Sequence, residues 1–199
     1  MPATYLRLLC HAATAAVRTS AFPADEPIDS EARQKLASLP FRLSRADRCW
    51  TSPALRARQT AQGLQLDAAV EPMLRDCNYG RWAGRSFDDV QAKEPDAIAE
   101  WLSDPASAPH GGESILALIE RVAAWLDGES GTPGRILAIT HASIIRAAIV
   151  HAIGARPHSF WRIDIAPLSL TRLSGAHGRW TLASIARAEE SEDRDDADP

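Results

Sequence analysis

The stretch "RILAIT", Arg135 to Thr140, limits what this chain can fold into more than any other. Its unbroken apolar centre shows no alternation, so it needs cover on both faces, as in a parallel sheet flanked by helices. It stops at His141, and "ASIIRAAIVHAIG" follows as a helix closed by Gly154. "YLRLLCHAAT", Tyr5 to Thr14, has the same form: strand residues over 4–10, a histidine at His11, then small residues. In open α/β sheets, ligands bind outside the carboxyl ends of the strands, where both histidines fall. If the two strands are neighbours, His11 and His141 converge on one pocket.

The remaining pattern supports a layered α/β domain. After the polar loop "RTSAFPADEPID", a helix is expected from about Ser30, its cap, to Leu39. "DRCWTS" reads as a short strand running into "SPALRARQTAQGL", a helix with Ser52 as N-cap and Pro53 at its first position. One or two helices broken near Pro95 fill residues 86–103. Glu113 to Asp127 is amphipathic, with Ile115, Leu118, Ile119, Val122 and Leu126 at helical spacing. "FWRIDI", "LSLTRLSG" and "RWTLASIAR" read as strands that finish the sheet with antiparallel members. Residues 1–187 are thus expected to form one domain, and the acidic 188–199 a disordered tail.

A net charge of −4 provides no basic face for nucleic acid. The three cysteines form neither a disulfide framework nor a metal-binding pair, which fits a reducing compartment. No stretch approaches the roughly 18 apolar residues of a membrane span. The apolar run before Cys10 is interrupted by Arg7 and has no basic leader, so a cytoplasmic protein is expected. Arg56, in the first turn of a helix whose N–H groups already favour an anion, is suited to gripping a small oxyanion. A solvated helix-face arginine is the plain alternative.

Together these residues resemble the histidine phosphatase superfamily, which includes the cofactor-dependent phosphoglycerate mutases and many small phosphatases. "SPALRARQTA" is similar to the family's S-P-L-x-R-A-x-Q-T-A element, and "LRDCNYGRWAG" to its L-x-E-x-x-x-G-x-W-x-G element. "DEPIDSEARQ", "PHGGES" and "ITHASIIRA" resemble three further stretches, all in the family's order. The resemblance implies a three-layer α/β/α sandwich with a mostly parallel, mixed central sheet, phosphoglycerate mutase-like. It also implies phosphomonoester hydrolysis through a phosphohistidine on His11, with Arg56 and His141 holding the phosphoryl oxygens. Asp76, where many members carry Glu, would be the proton donor, and a carboxyl beside a phosphate dianion should have a raised pKa. Glu113 is expected behind the site or capping the helix that begins nearby. The resemblance implies no metal or organic cofactor and a small phosphorylated metabolite as substrate.

One departure stands out. The family's Arg-His-Gly is here Cys10-His11-Ala12, which removes a phosphate-binding arginine. Arg18, Arg81 and Arg85 are candidates to replace it. Cys10 is read as a position of the phosphate site that has lost its ligand rather than as a thiol nucleophile, since position 16 is Ala and not the arginine that thiol phosphatases carry, and a side chain alternating with His11 on a strand points to the opposite face. Two alternatives follow: a weakened or inactive member that binds a phosphorylated ligand, and a phosphoglycerate mutase. Ala13, where mutases carry an acidic residue, speaks against the second.

Overall fold

The computed structural model describes residues 3–38, 46–176 and 178–187. Its elements run β1 (Thr4–Cys10), α1 (Ala15–Arg18), α2 (Ser30–Ser38), β2 (Arg48–Thr51), α3 (Leu55–Gly63) and β3 (Ala69–Val70). There follow α4 (Phe87–Lys93), α5 (Pro95–Ser103), α6 (Ile115–Ser130), β4 (Gly134–Thr140), α7 (Ala142–Ala152), β5 (Ser169–Ala176) and β6 (Arg179–Arg187). Short 3-10 turns lie at Pro72–Leu74, Gly80–Trp82 and Pro157–Arg162.

The sheet has the order β3-β2-β4-β1-β5-β6. Its first four strands are parallel, and β5 and β6 are antiparallel to their neighbours. The apolar centre of β4 is buried between two helical layers, as its lack of alternation demands. On one face, Leu6, Leu8, Ile136 and Ala138 pack with Leu118, Val122 and Leu126 of α6 and Ile144, Ile145 and Ala148 of α7. On the other, Leu9, Leu137 and Ile139 meet Ala57 and Ala61 of α3, and Ala32 and Leu36 of α2 pack nearby with Ala12 and Leu168. The molecule is therefore the three-layer α/β sandwich implied by the sequence.

β1 and β4 are neighbours in parallel register, Cys10 opposite Thr140, and the His11 N–H donates to the Thr140 carbonyl at 2.9 Å. The two histidine-bearing strand ends therefore lie side by side. Residues 86–103 form two helices, capped by Ser86 and restarted by Pro95 at the first position of α5.

Other local expectations give way to tertiary partners. Asp29 rather than Ser30 caps α2, its carboxylate accepting from the Ala32 N–H at 2.7 Å. The helix bearing Arg56 starts at Leu55, later than Ser52 and Pro53 suggest, because the Ser52 hydroxyl is bonded to His141 and Asp25 takes the Leu55 N–H. Ser114, not Glu113, caps α6. "FWRIDI" is not a strand: Pro157 opens a 3-10 turn whose Phe160 is buried in the α6–α7 layer, and residues 163–168 are irregular. The two-residue strand β3 had no signal in the sequence. Leu39, His177 and the acidic 188–199 lie outside the described residues.

Candidate active site

A cavity of about 150 Å³ opens at the carboxyl ends of β1 and β4, and His11, Arg56 and Asp76 line it. Its wall continues through Glu26, Tyr79, Ser143 and Arg146, with small apolar groups such as Ala16, Ala21 and Ala142. His141 stands against His11, ring centroids 5.2 Å apart and nearly edge to face. The structure thus brings together His11, Arg56, Asp76 and His141 from four separate segments.

The hydrogen bonds fix the tautomer of His11. Its Nδ1 lies 2.8 Å from the Ala12 carbonyl oxygen. A carbonyl can only accept, so Nδ1 carries the proton and Nε2 keeps its lone pair. Burial pushes the His11 pKa below its ordinary value, so the ring is neutral near pH 7. His141 is lowered to about 3, because burial outweighs the pull of Asp76. Its Nε2 lies 2.7 Å from the Ser52 hydroxyl, and its Nδ1 faces the Asp76 carboxylate at 3.3 Å.

Arg56 is buried, and its guanidinium donates to the Ala24 carbonyl and to Asp76 Oδ2, each at 2.6 Å. Glu26 lies 3.8 Å away and is itself held by Thr14 and the Ala24 N–H. The Arg56 Nε has no hydrogen-bond partner among the described residues. A buried cationic N–H without an acceptor is costly, and an oxyanion in the cavity is the natural acceptor.

Asp76 accepts from Arg56, from the Ser143 hydroxyl at 2.5 Å and from the Cys77 N–H at 2.8 Å. Burial alone would raise its pKa, but the cationic and hydrogen-bonding neighbours prevail and hold the carboxyl well below the usual range. The upward shift expected from the sequence is not what these protein groups impose. Asp76 is ionised at neutral pH, with Arg56 as its counter-ion.

The other sequence candidates lie elsewhere. Cys10 faces the α6–α7 core with Leu6 and Leu8, and burial pushes its thiol up to about 12, so it is a thiol at neutral pH. Arg18 pairs with Asp29 at 2.5 Å and Glu31 at 3.0 Å, and lines a different cavity beside Ala13 and Leu168. Arg81 is bound to Glu94 and the Pro109 carbonyl, and Arg85 to Asp89 and Glu94. None of these three arginines lines the cavity of His11.

Glu113 is also outside the cavity, where it forms a two-pronged pair with Arg121, both contacts at 2.8 Å. Arg121 also donates to the Met73 carbonyl at 2.5 Å and the Arg75 carbonyl at 3.2 Å. The clasp therefore holds the loop that carries Asp76. A second tie crosses the same loop: the Glu113 N–H donates to the Asn78 carbonyl at 2.7 Å. The backbones approach so closely that a Cβ on Gly112 would lie 1.9 Å from that carbonyl oxygen. Tyr79, Ser143 and Arg146 were missed as cavity residues; Ser143 and Arg146 follow His141 at spacings that place them on one helical face with Ala142.

Two imidazoles, a buried guanidinium and a carboxylate at the carboxyl edge of a mostly parallel α/β sheet define a protein equipped to receive an oxyanion. The chain belongs to the histidine phosphatase superfamily (branch 1), whose family model matches residues 6–187. Among curated relatives, bifunctional protein Rv2228c of Mycobacterium tuberculosis is 30% identical over 130 residues, 60% of this chain and 35% of that protein. The chain spans about a third of the length of these first curated relatives. Phosphoserine phosphatase 1 of Hydrogenobacter thermophilus is 23% identical over 146 residues, 69% of each chain. Among solved structures, the alpha-ribazole phosphatase of Shigella flexneri aligns with a TM-score of 0.80 at 22% identity, covering 94% of this chain and 98% of that one. Among the described residues no helix is long and apolar enough to cross a membrane.

Proposed function

We propose that this chain is a phosphatase that hydrolyses a small phosphorylated metabolite through a phosphohistidine on His11. The observation that carries the reading is the His11 ring: Nδ1 is tied to a carbonyl, and Nε2 bears a lone pair in a cavity shared with Arg56 and Asp76. A neutral imidazole held in one tautomer is a nucleophile ready to attack without first losing a proton. Arg56, with its unpartnered Nε, offers the phosphoryl oxygens charge-assisted hydrogen bonds that strengthen as charge spreads in the transition state.

In the first step a bond forms between Nε2 of His11 and phosphorus, and the bond from phosphorus to the leaving oxygen breaks. Asp76 gives that oxygen its proton. In the second step the Asp76 carboxylate takes a proton from water, the water oxygen bonds to phosphorus, and His11 is released. Asp76 needs a proton for the first step, although Arg56 keeps it ionised. The substrate resolves this: a phosphate dianion competes for Arg56 and places negative charge beside Asp76, and both effects raise its pKa.

Names such as phosphoserine phosphatase among the relatives support the hydrolase reading over the mutase, and the cavity of about 150 Å³ suits a phosphoryl group better than a large substrate. Purified protein is expected to release phosphate from an aryl phosphate and to lose that activity as His11→Ala. Acid-labile, base-stable phosphate should be trapped on the unaltered chain during turnover. Equal turnover by His11→Ala overturns the mechanism, and phosphate binding without release supports the non-catalytic reading that Cys10 favours.

A further inference from the structure

We propose that Arg146 is a phosphoryl-binding residue of this site and supplies the cation that position 10 lacks; the inference rests on the phosphatase reading above. Arg146 follows Ala142 and Ser143 at spacings of four and three residues on α7, and all three line the cavity of His11. Its Nε donates to the Ile163 carbonyl at 2.7 Å, which anchors the guanidinium, and its charge lies 5.7 Å from the ring centre of the buried Phe160. The remaining guanidinium N–H groups make no other hydrogen bond among the described residues. The facing acid, Asp164, is 4.0 Å away and almost fully solvent-exposed, so it neutralises little.

The position is also right for the missing group. Cys10 ends β1 and Arg146 lies one turn into α7, and of the two guanidiniums acting on the Cys10 thiol, that of Arg146 acts more strongly than that of Arg56. It likewise acts more strongly on Tyr79, another cavity residue. Arg18, Arg81 and Arg85 are held by acids outside the cavity. An anchored planar fork with donors left over is what a phosphoryl oxygen requires.

The test compares the unaltered chain with Arg146→Gln on phenyl phosphate, whose leaving group carries no anion, and measures inhibition by inorganic phosphate. The inference expects kcat/KM to fall about 10- to 100-fold and phosphate inhibition to weaken by a similar factor. Unchanged hydrolysis and inhibition in Arg146→Gln overturn the inference, because a residue gripping only a charged leaving group, or only Ile163, gives that result. If the Gln variant does not fold, Arg146→Lys replaces it: its single ammonium should weaken phosphate inhibition at an unchanged thermal midpoint, and unchanged inhibition refutes the role. If the unaltered chain binds phosphate through Arg146 but hydrolyses nothing, the phosphatase reading alone fails.

Discussion

Replacing Arg121 by Met should expose the clasp behind Asp76. Both partners of the Arg121–Glu113 pair are largely buried, with side chains 7% and 11% exposed. Removing one partner of a buried pair typically costs about 3–5 kcal/mol, because the other charge is stranded. Here the stranded Glu113 keeps Arg75 at 3.6 Å, but that side chain is 49% exposed and returns about 1 kcal/mol at most. A loss of about 3 kcal/mol is therefore expected, or about 6–12 °C in thermal midpoint for a chain of this size. The carbonyls of Met73 and Arg75 also lose their donor, so Asp76 should be less well positioned, and kcat should fall at least about tenfold with KM little changed. Urea unfolding and steady-state kinetics on an aryl phosphate measure the two effects. The double variant Glu113→Gln, Arg121→Met should be more stable than the single Arg121→Met. A loss below about 1 kcal/mol with unchanged kcat would falsify the clasp.

Two more perturbations test the site through stability. His11 and His141 are depressed by burial, so the unfolded chain, with imidazole values near 6.5, binds protons the native chain refuses. Stability is then fully present above about pH 7 and is lost as pH falls below about 6.5, for His141 by about 1.4 kcal/mol per pH unit down to about pH 3, with His11 adding to the loss in the same direction. Urea unfolding at pH 7.5, 6 and 5 should show this slope, and His141→Gln should reduce it; a flat profile rules it out. Gly112→Ala should separate the acid loop from the turn beneath it, because the added Cβ meets the Asn78 carbonyl oxygen, and should cost about 1–3 kcal/mol together with most of the activity. A fully active, fully stable variant contradicts that contact.

Local signals carried the site further than its surroundings. Both histidines are legible because a strand that must be buried on both faces has to end in a pocket-forming loop, and each strand ends at a histidine. Arg56 is legible from its place in the first turn of α3. Ser52 misleads because its hydroxyl could cap a helix locally, yet it bonds to His141, far away in the chain. "FWRIDI" misleads because its strand-like composition is overridden by Pro157 and by the packing of Phe160. Arg121 leaves no short-range trace, since its partners are loop carbonyls and an acid two turns away in sequence. The protonation of Asp76 is beyond pattern reading, because it depends on how closely Arg56 and Ser143 approach.

The adjacency of β1 and β4 bears on how the chain comes to function. These neighbours are separated by most of the polypeptide, and their pairing closes a very long loop before any contact rewards it. His11 sits on one side of that seam and His141 on the other. During refolding, phosphate binding should therefore appear late, after the helices have formed, and a nascent chain that has not yet delivered β4 holds His11 without its pocket.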